Sequence, residues 1–309
     1  MNSPQRSVAV IGAGTIGLSW ASLFAAHGWT VRVSDPRPDL GQAIDDAVSE
    51  AAPALIALGV DVETSDLRSR ITASASLEEA VDGVSIVQEN GPERVDWKRE
   101  LFAKLESITA GDTILATSSS SIPASEIARD IADGSRIIVG HPYNPPHVLP
   151  VVEVVPSEKT SQTTIDRAAE IYASLGREPV ILKKEIAGFV GNRLQLALLR
   201  EAFSLVHAGV VEPEMLDRLM RGSLGLRWAA VGPLAAVRLG GGPGGAKHLM
   251  ENVGKEMEHI QLGSPTPEAM TDVAATIDEA YGQKDYATAA KDAGRAQIAI
   301  LTATRKAAA

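Results

Sequence analysis

The chain has 309 residues and a mass of 32.4 kDa, enough for about two domains. Hydrophobic residues make up 45% and charged residues 22%, which excludes a disordered or low-complexity chain. A net charge of −10 argues against a nucleic-acid binder, no apolar run approaches the ~18 residues of a membrane span, and the absence of cysteine excludes disulfides, thiolate metal sites and cysteine nucleophiles. The N-terminus, MNSPQRSVAVIGAG, passes from a short polar lead straight into a strand, without the pattern of a secretory signal, so a soluble cytoplasmic protein is expected.

Short apolar runs rich in Val and Ile mark strands at Val8–Ile11, Thr30–Ser34, Ser85–Glu89, Thr113–Ala116, Arg136–Gly140 and Val180–Leu182, with one more at Pro150–Pro156. Runs of four or five such residues are how strands buried on both faces of a parallel sheet read. Between them lie helical stretches at Leu18–Ala26, Gln42–Leu58, Trp97–Leu105, Pro123–Ala132 and Thr164–Leu175. This alternation predicts right-handed βαβ units and an open, doubly wound, mainly parallel α/β sheet of the Rossmann type. Beyond Lys183 only helical periodicity remains: Gly188–His207, Glu214–Arg221, Gly245–Gln261, Met270–Tyr281 and Tyr286–Ala303. Gly188–His207 carries apolar residues around much of its surface and reads as a buried helix. The expected division is a dinucleotide-binding domain over 1–186 and an all-helical domain over 187–309 that binds substrate and makes a homodimer.

The first strand runs into VAVIGAGTIG, a G-x-G-x-x-G pattern at Gly12, Gly14 and Gly17, with Thr15 and Ile16 inside the turn. Gly12 permits the tight turn, Gly14 lets a pyrophosphate approach the backbone, and Gly17 lets helix and strand pack closely. The phosphates then meet unpaired N–H groups at a helix start. The second strand leads to Asp35, a carboxylate placed to accept both ribose hydroxyls and to repel a 2′-phosphate, which predicts NAD rather than NADP despite nearby Arg37.

A nicotinamide cofactor implies hydride transfer, and oxidising an alcohol also needs a group to take the hydroxyl proton. Polar residues gather where a sheet of this kind presents its crevice. The run Thr117–Ser121 follows one strand, His141 ends another, Glu153 interrupts PVVEVVP, and Asn192 opens the long helix. His141 is the candidate base, because imidazole titrates near neutral pH, and Glu153 would orient it. Each has a plainer reading alone: a loop histidine, an edge-strand glutamate, a serine turn, a first-turn asparagine. No metal site is expected, since the other histidines lack ligand-like partners.

Together these segments resemble the 3-hydroxyacyl-CoA dehydrogenase family over nearly the whole chain. SSSSIPASEIA, GHPYNPPHVLPVVEVV and GFVGNRL match its serine, histidine–glutamate and asparagine motifs in order. The resemblance implies that Ser120 hydrogen-bonds substrate, His141 is the base, Glu153 its partner, and Asn192 a contact of substrate or histidine. It also implies that Glu93 and Lys98 of NGPERVDWK contact the nicotinamide-side ribose and that Ser118 contacts the cofactor. Within the family the chain looks most like the branch holding lambda-crystallin (L-gulonate 3-dehydrogenase) and L-carnitine dehydrogenase. Acyl-CoA members carry a basic segment after the second strand. Here Asp39–Asp66 holds no Lys or Arg but Asp39, Asp45, Asp46, Glu50, Asp61, Glu63 and Asp66, which would repel a phosphorylated carrier. A small free hydroxy acid is therefore the expected substrate, with Arg227 of GLRW offered to its carboxylate. The alternatives are a short-chain 3-hydroxyacyl-CoA dehydrogenase and a non-catalytic NAD(H)-binding protein.

Overall fold

The computed structural model describes residues 6–254, 257 and 259–308. It divides into two compact units, Met1–Asn192 and Arg193–Ala309.

The first unit is built on an eight-stranded sheet. Its strands are β1 (Ser7–Ile11), β2 (Thr30–Ser34), β3 (Ile71–Ala73), β4 (Ile86–Glu89), β5 (Ile114–Thr117), β6 (Ile137–Pro142), β7 (Val151–Pro156) and β8 (Glu178–Ile181). They lie in the order β3-β2-β1-β4-β5-β6-β7-β8. Every neighbouring pair is parallel except β6 and β7, which run antiparallel. The chain leaves β1 in opposite directions toward β2 and β4, so the crevice of a doubly wound sheet opens at the C-terminal ends of β1 and β4.

Seven helices accompany the sheet: α1 (Thr15–Ala26), α2 (Leu40–Ala57), α3 (Thr64–Ser69), α4 (Leu77–Val81), α5 (Val95–Ile108), α6 (Ala124–Ile127) and α7 (Gln162–Ser174). The apolar runs are explained by two cores, one on each face. Val8 and Val10 of β1 join Trp20 and Phe24 of α1, Leu55 of α2 and Tyr172 of α7. Ala9 and Ile11 join Phe102 and Leu105 of α5 and Ile127 of α6. Alternate residues of one strand thus serve opposite cores, and no polar face appears in the sequence.

Three elements differ from the expectation. Residues 64–81 hold α3, β3 and α4, none of which the sequence suggested; β3 is three residues long with only Ile71 buried. The helix expected over Pro123–Ala132 stops at Ile127, and beyond it the Lys159 ammonium donates to the Ala128 and Ile131 carbonyls at 3.2 and 3.1 Å. The seventh strand anticipated at Val180–Leu182 forms at Glu178–Ile181, at the edge beside β7.

The second unit is helical: α8 (Gly191–His207, beginning at the unit boundary), α9 (Pro213–Gly222), α10 (Leu224–Val231), α11 (Pro233–Gly240), α12 (Gly245–Leu249), α13 (Pro267–Tyr281) and α14 (Tyr286–Ala308). The single helix expected over Gly245–Gln261 is instead α12 followed by a π-turn at Met250–Gly254, and part of that stretch lies outside the described residues. α10 and α11 were not anticipated. The expectation of a buried α8 is corrected: it has no buried residue, and Leu194 and Leu196 are 63% and 52% exposed. The periodicity marks an apolar face, and the described residues cover it only in part. No helix among the described residues is long and apolar enough to cross a membrane.

Candidate active site

At the crevice, the glycine-rich turn is closed by steric necessity. Gly12 has φ +93°, and a Cβ there would fall 2.9 Å from the Asn90 carbonyl at the end of β4. A Cβ on Gly17 would fall 1.9 Å from the Gly12 carbonyl oxygen. Gly14 is different, because a Cβ there would meet no protein atom within 4 Å. It is the N-cap of α1 and, lacking a side chain, gives no side-chain cap to the first-turn N–H groups. Uncapped N–H groups beside a bare backbone fit a pyrophosphate. Asp35 at the end of β2 is held in this turn, its two oxygens accepting from Ala13 N at 2.7 Å and Arg37 N at 2.9 Å. Arg37 is engaged with both Asp39 oxygens at 2.7 and 2.8 Å and is not offered to a 2′-phosphate. The residues present fit NAD.

The expected ribose contacts are placed differently from one another. Lys98 of α5 lies beneath the crevice, 1% exposed, its ammonium donating to both Glu89 oxygens at 2.9 and 2.7 Å and to Thr117 Oγ1 at 3.5 Å. All three of its protons are used within the protein. Ser118 Oγ accepts from Trp20 Nε1 and Gln88 Nε2 and donates to Asn90 Oδ1 at 2.7 Å, and its N–H donates to the Glu89 carbonyl. Both Ser118 donors are therefore spent internally. Glu93 is half-buried and organises the serine run. Its Oε1 accepts from Ser119 Oγ, Ser120 N, Ser121 N and Ser121 Oγ at 2.6 to 3.1 Å, while Oε2 lies 3.7 Å from the Lys98 ammonium. Burial pushes its carboxyl up, but the Ser119 and Ser121 hydroxyls and the Lys98 charge outweigh that and hold it below the usual range.

The strand pair β6–β7 makes the chemical centre. The antiparallel register sets His141 directly opposite Glu153, and facing residues of an antiparallel pair project on the same side. His141 Nδ1 lies 2.8 Å from Glu153 Oε2, and both residues are buried. A carboxylate only accepts, so Nδ1 carries the proton, and the lone pair of the neutral tautomer lies at Nε2. The other Glu153 oxygen accepts from Val190 N at 3.0 Å and Gly191 N at 3.1 Å, the N–H groups at the start of α8. Phe189, in the left-handed region at φ 49° and fully buried, turns the chain so that these groups point at the carboxylate. Its ring sits 5.5 Å from the imidazole. Burial alone would raise the Glu153 carboxyl; the bonds from His141, Gly191 and Val190 overcome this and hold it below its ordinary value.

Ser120 is exposed, and Asn192 Nδ2 donates to its carbonyl oxygen at 2.9 Å. The serine, the asparagine and the histidine–glutamate pair are thus brought into one unit. Arg227 lies exposed on α10 of the helical unit. The histidine whose structural part the sequence did not reveal is His147, in the loop between β6 and β7. Its backbone N–H donates to Ser19 Oγ of α1 at 3.0 Å, and its Nδ1 lies 2.8 Å from the same oxygen. Burial, and then the Arg177 charge, push its pKa down to about 4. Between about 4 and the ordinary value of 6.5 the unfolded chain binds a proton that the folded one refuses. Stability therefore falls as pH drops through this window, by up to about 3 kcal/mol. Denaturant midpoints at pH 5 and pH 7 should differ less in His147→Gln than in the parent chain.

Comparison with known proteins shows the family. Residues 7–186 match the NAD binding domain of 3-hydroxyacyl-CoA dehydrogenase, and residues 188–272 its C-terminal domain. The chain belongs to the 3-hydroxyacyl-CoA dehydrogenase family. Its fold, a mainly parallel Rossmann-type sheet followed by a helical region, is that of the family, and NAD is its cofactor. The chain is 37% identical to an L-carnitine dehydrogenase of Streptomyces griseus, over 97% of this chain and 90% of that protein. It is 40% identical to a 3-hydroxyacyl-CoA dehydrogenase of Gibberella moniliformis, over 82% and 79%. A crystal structure of FHMPC 5-dehydrogenase, an NAD+-dependent dismutase, superimposes with a TM-score of 0.77 at 27% identity, covering 97% and 98% of the two chains.

Proposed function

We propose that this NAD-dependent dehydrogenase oxidises the 3-hydroxyl of a small, polar 3-hydroxy acid resembling L-carnitine or L-gulonate to the 3-keto acid. The observation that carries the reading is the 2.8 Å contact between His141 Nδ1 and Glu153, which leaves Nε2 free to accept a proton. NAD, when bound at the glycine-rich turn, supplies the hydride acceptor. His141 Nε2 takes the hydroxyl proton as the carbonyl forms, and the anionic Glu153 stabilises the imidazolium. Ser120 orients the hydroxyl, and its loop is held from two sides, by Glu93 and by Asn192. Arg227 is assigned to the substrate carboxylate on its chemistry, a planar two-pronged donor.

The choice of a free acid rests on charge. Asp39–Asp66 has no basic residue, and of its acidic side chains Asp39 and Asp45 are paired, with Arg37 and Arg68. The relative of Streptomyces griseus is named for L-carnitine. The Gibberella relative supports the second reading, a short-chain 3-hydroxyacyl-CoA substrate. NADH formation followed by absorbance with L-carnitine, L-gulonate, 3-hydroxybutyrate and 3-hydroxybutyryl-CoA separates the two. One of the free acids should exceed the thioester at least about tenfold in kcat/KM, a difference of about 1.4 kcal/mol in transition-state stabilisation. Preference for the thioester overturns the charge argument, and no turnover with tight NADH binding favours a non-catalytic role.

A cytoplasmic homodimer completes the proposal. In the helical unit the buried apolar side chains among the described residues are Pro213, Ala269 and Val273, whereas Leu234 is 83% exposed. Helices this apolar need a cover, and a second copy of the same surface provides one. Sedimentation should give twice the chain mass of 32.4 kDa; a monomer at micromolar concentration would remove this part.

A further inference from the structure

Gln88 is a polar residue in the middle of the sheet, fully buried on β4, and neither the motifs nor the comparisons give it a part. Its amide meets Tyr172 of α7, whose ring lies 5.4 Å from that of Trp20. The phenol reaches it past Gly140, where a Cβ would fall 1.9 Å from the hydroxyl oxygen. The direction of every bond here follows from groups that have no choice. The Trp20 indole only donates, and does so to Ser118 Oγ at 3.1 Å. The backbone oxygens of Gln88 and Ile11 only accept, and they take Asn90 Nδ2 at 2.8 and 3.4 Å. Asn90 therefore turns Oδ1 to Ser118, which spends its one proton there at 2.7 Å. Ser118 is left to accept from Gln88 Nε2 at 2.8 Å, and Gln88 Oε1 accepts from the Tyr172 hydroxyl at 2.7 Å. Tyr172, Gln88, Ser118 and Asn90 thus form one ordered chain of donors, buried at the tyrosine and partly open at the asparagine.

The chain ends at the cofactor turn. Asn90 N donates to the Ile11 carbonyl at 2.7 Å, and a Cβ on Gly17 would fall 3.4 Å from the Asn90 Cβ. With the Asn90 carbonyl already pressed against Gly12, this residue is the floor on which the glycine-rich turn closes. We propose that Gln88 is a positioning residue for NAD, carrying the bond from Tyr172 through Ser118 to Asn90 and so holding the turn in the shape the cofactor meets. Val10 and Ile138 fill the same core with apolar side chains; the amide adds direction, which they lack. Burial pushes the Tyr172 phenol up, so it stays a neutral donor. Without its proton, Gln88 Oε1 becomes a buried acceptor with no donor, and the cheapest repair is for the amide to turn over. Ser118 then divides its proton between Gln88 and Asn90, and the floor of the turn loosens. The inference concerns the cofactor alone and stands apart from the choice of substrate and from the part given to His141.

The test is Tyr172→Phe, which keeps the ring and removes the first proton of the chain. NADH affinity, measured by fluorescence titration on the full chain without substrate, should weaken about threefold to tenfold, and further in Gln88→Leu. The Asn90 side-chain amide resonance, assigned in 1H–15N spectra by its loss in Asn90→Ser, should shift in Tyr172→Phe although three hydrogen bonds separate the two residues. Adding Tyr172→Phe to Gln88→Leu should weaken NADH no further, because the link is already cut. Leu105→Ala, in the core on the other face of the sheet, isolates stability: it should lower Tm and leave NADH affinity within about twofold. Unchanged NADH affinity in Tyr172→Phe overturns the proposal, and so does an unmoved Asn90 signal. A loss of affinity that Leu105→Ala reproduces, or losses that add in the double variant, overturn it as well. If Gln88→Leu does not fold, the two readings on Tyr172→Phe and the Leu105→Ala comparison decide alone.

Discussion

Replacing His141 with asparagine is expected to lower the rate of NADH formation by about 10²–10⁴-fold while leaving NADH affinity close to that of the parent. Asparagine keeps an N–H that can serve Glu153, so the buried carboxylate retains a partner and the loss reports the base rather than a damaged site. Alanine would confound the two, since it leaves Glu153 with an unfilled position at 2.8 Å. The cofactor turn lies at the ends of β1 and β2, elements that do not include the histidine, which is why binding should survive. Fluorescence titration with NADH beside steady-state rates checks both halves, and an equal loss of binding would show that His141 serves the cofactor.

Lys98→Met is expected to cost about 3–5 kcal/mol of stability and to lower Tm by roughly 10 °C. The ammonium and the Glu89 carboxylate are almost wholly withdrawn from water, 1% and 0% exposed. Glu89 also accepts from Thr117 Oγ1 at 2.6 Å and from Gly91 N at 2.5 Å, so removing the lysine strands a charge within a network that joins β4, β5 and α5. Glu89→Gln combined with Lys98→Met should recover part of the loss, because the stranded charge goes with it. The Lys104–Glu78 pair, about half exposed on both sides, is the control: its removal should change stability by less than about 1 kcal/mol. Urea midpoints of these three variants and the parent decide the matter.

Sequence patterning reaches the centre of the sheet well because burial on both faces leaves only Val, Ile, Leu and Ala in β1, β4 and β5 apart from their polar ends. It misses β3, whose three residues bury one side chain, and α10 and α11, where LGLRWAAV and PLAAVRLG offer no clear polar face. The histidine–glutamate pair is legible because a polar residue inside VVEVV is out of place unless something answers it. The antiparallel direction that brings the two together is not, since period-two patterning carries no sign of direction. Ser118 and Lys98 show a different limit: a motif gives a residue's position, not whether its hydrogen bonds are already spent.

The cross-strand placement of His141 and Glu153 also determines where the chain can tolerate a change of length. Facing residues alternate sides with every step along a strand, so deleting one residue from β6 or β7 would send one of the two through to the opposite core and end the chemistry while most of the sheet still formed. Lengthening the connecting segment beyond its anchor at His147 leaves that pairing intact and costs only the slowly growing entropy of a longer loop. New specificities can therefore be introduced by insertion between the two strands, but not within them.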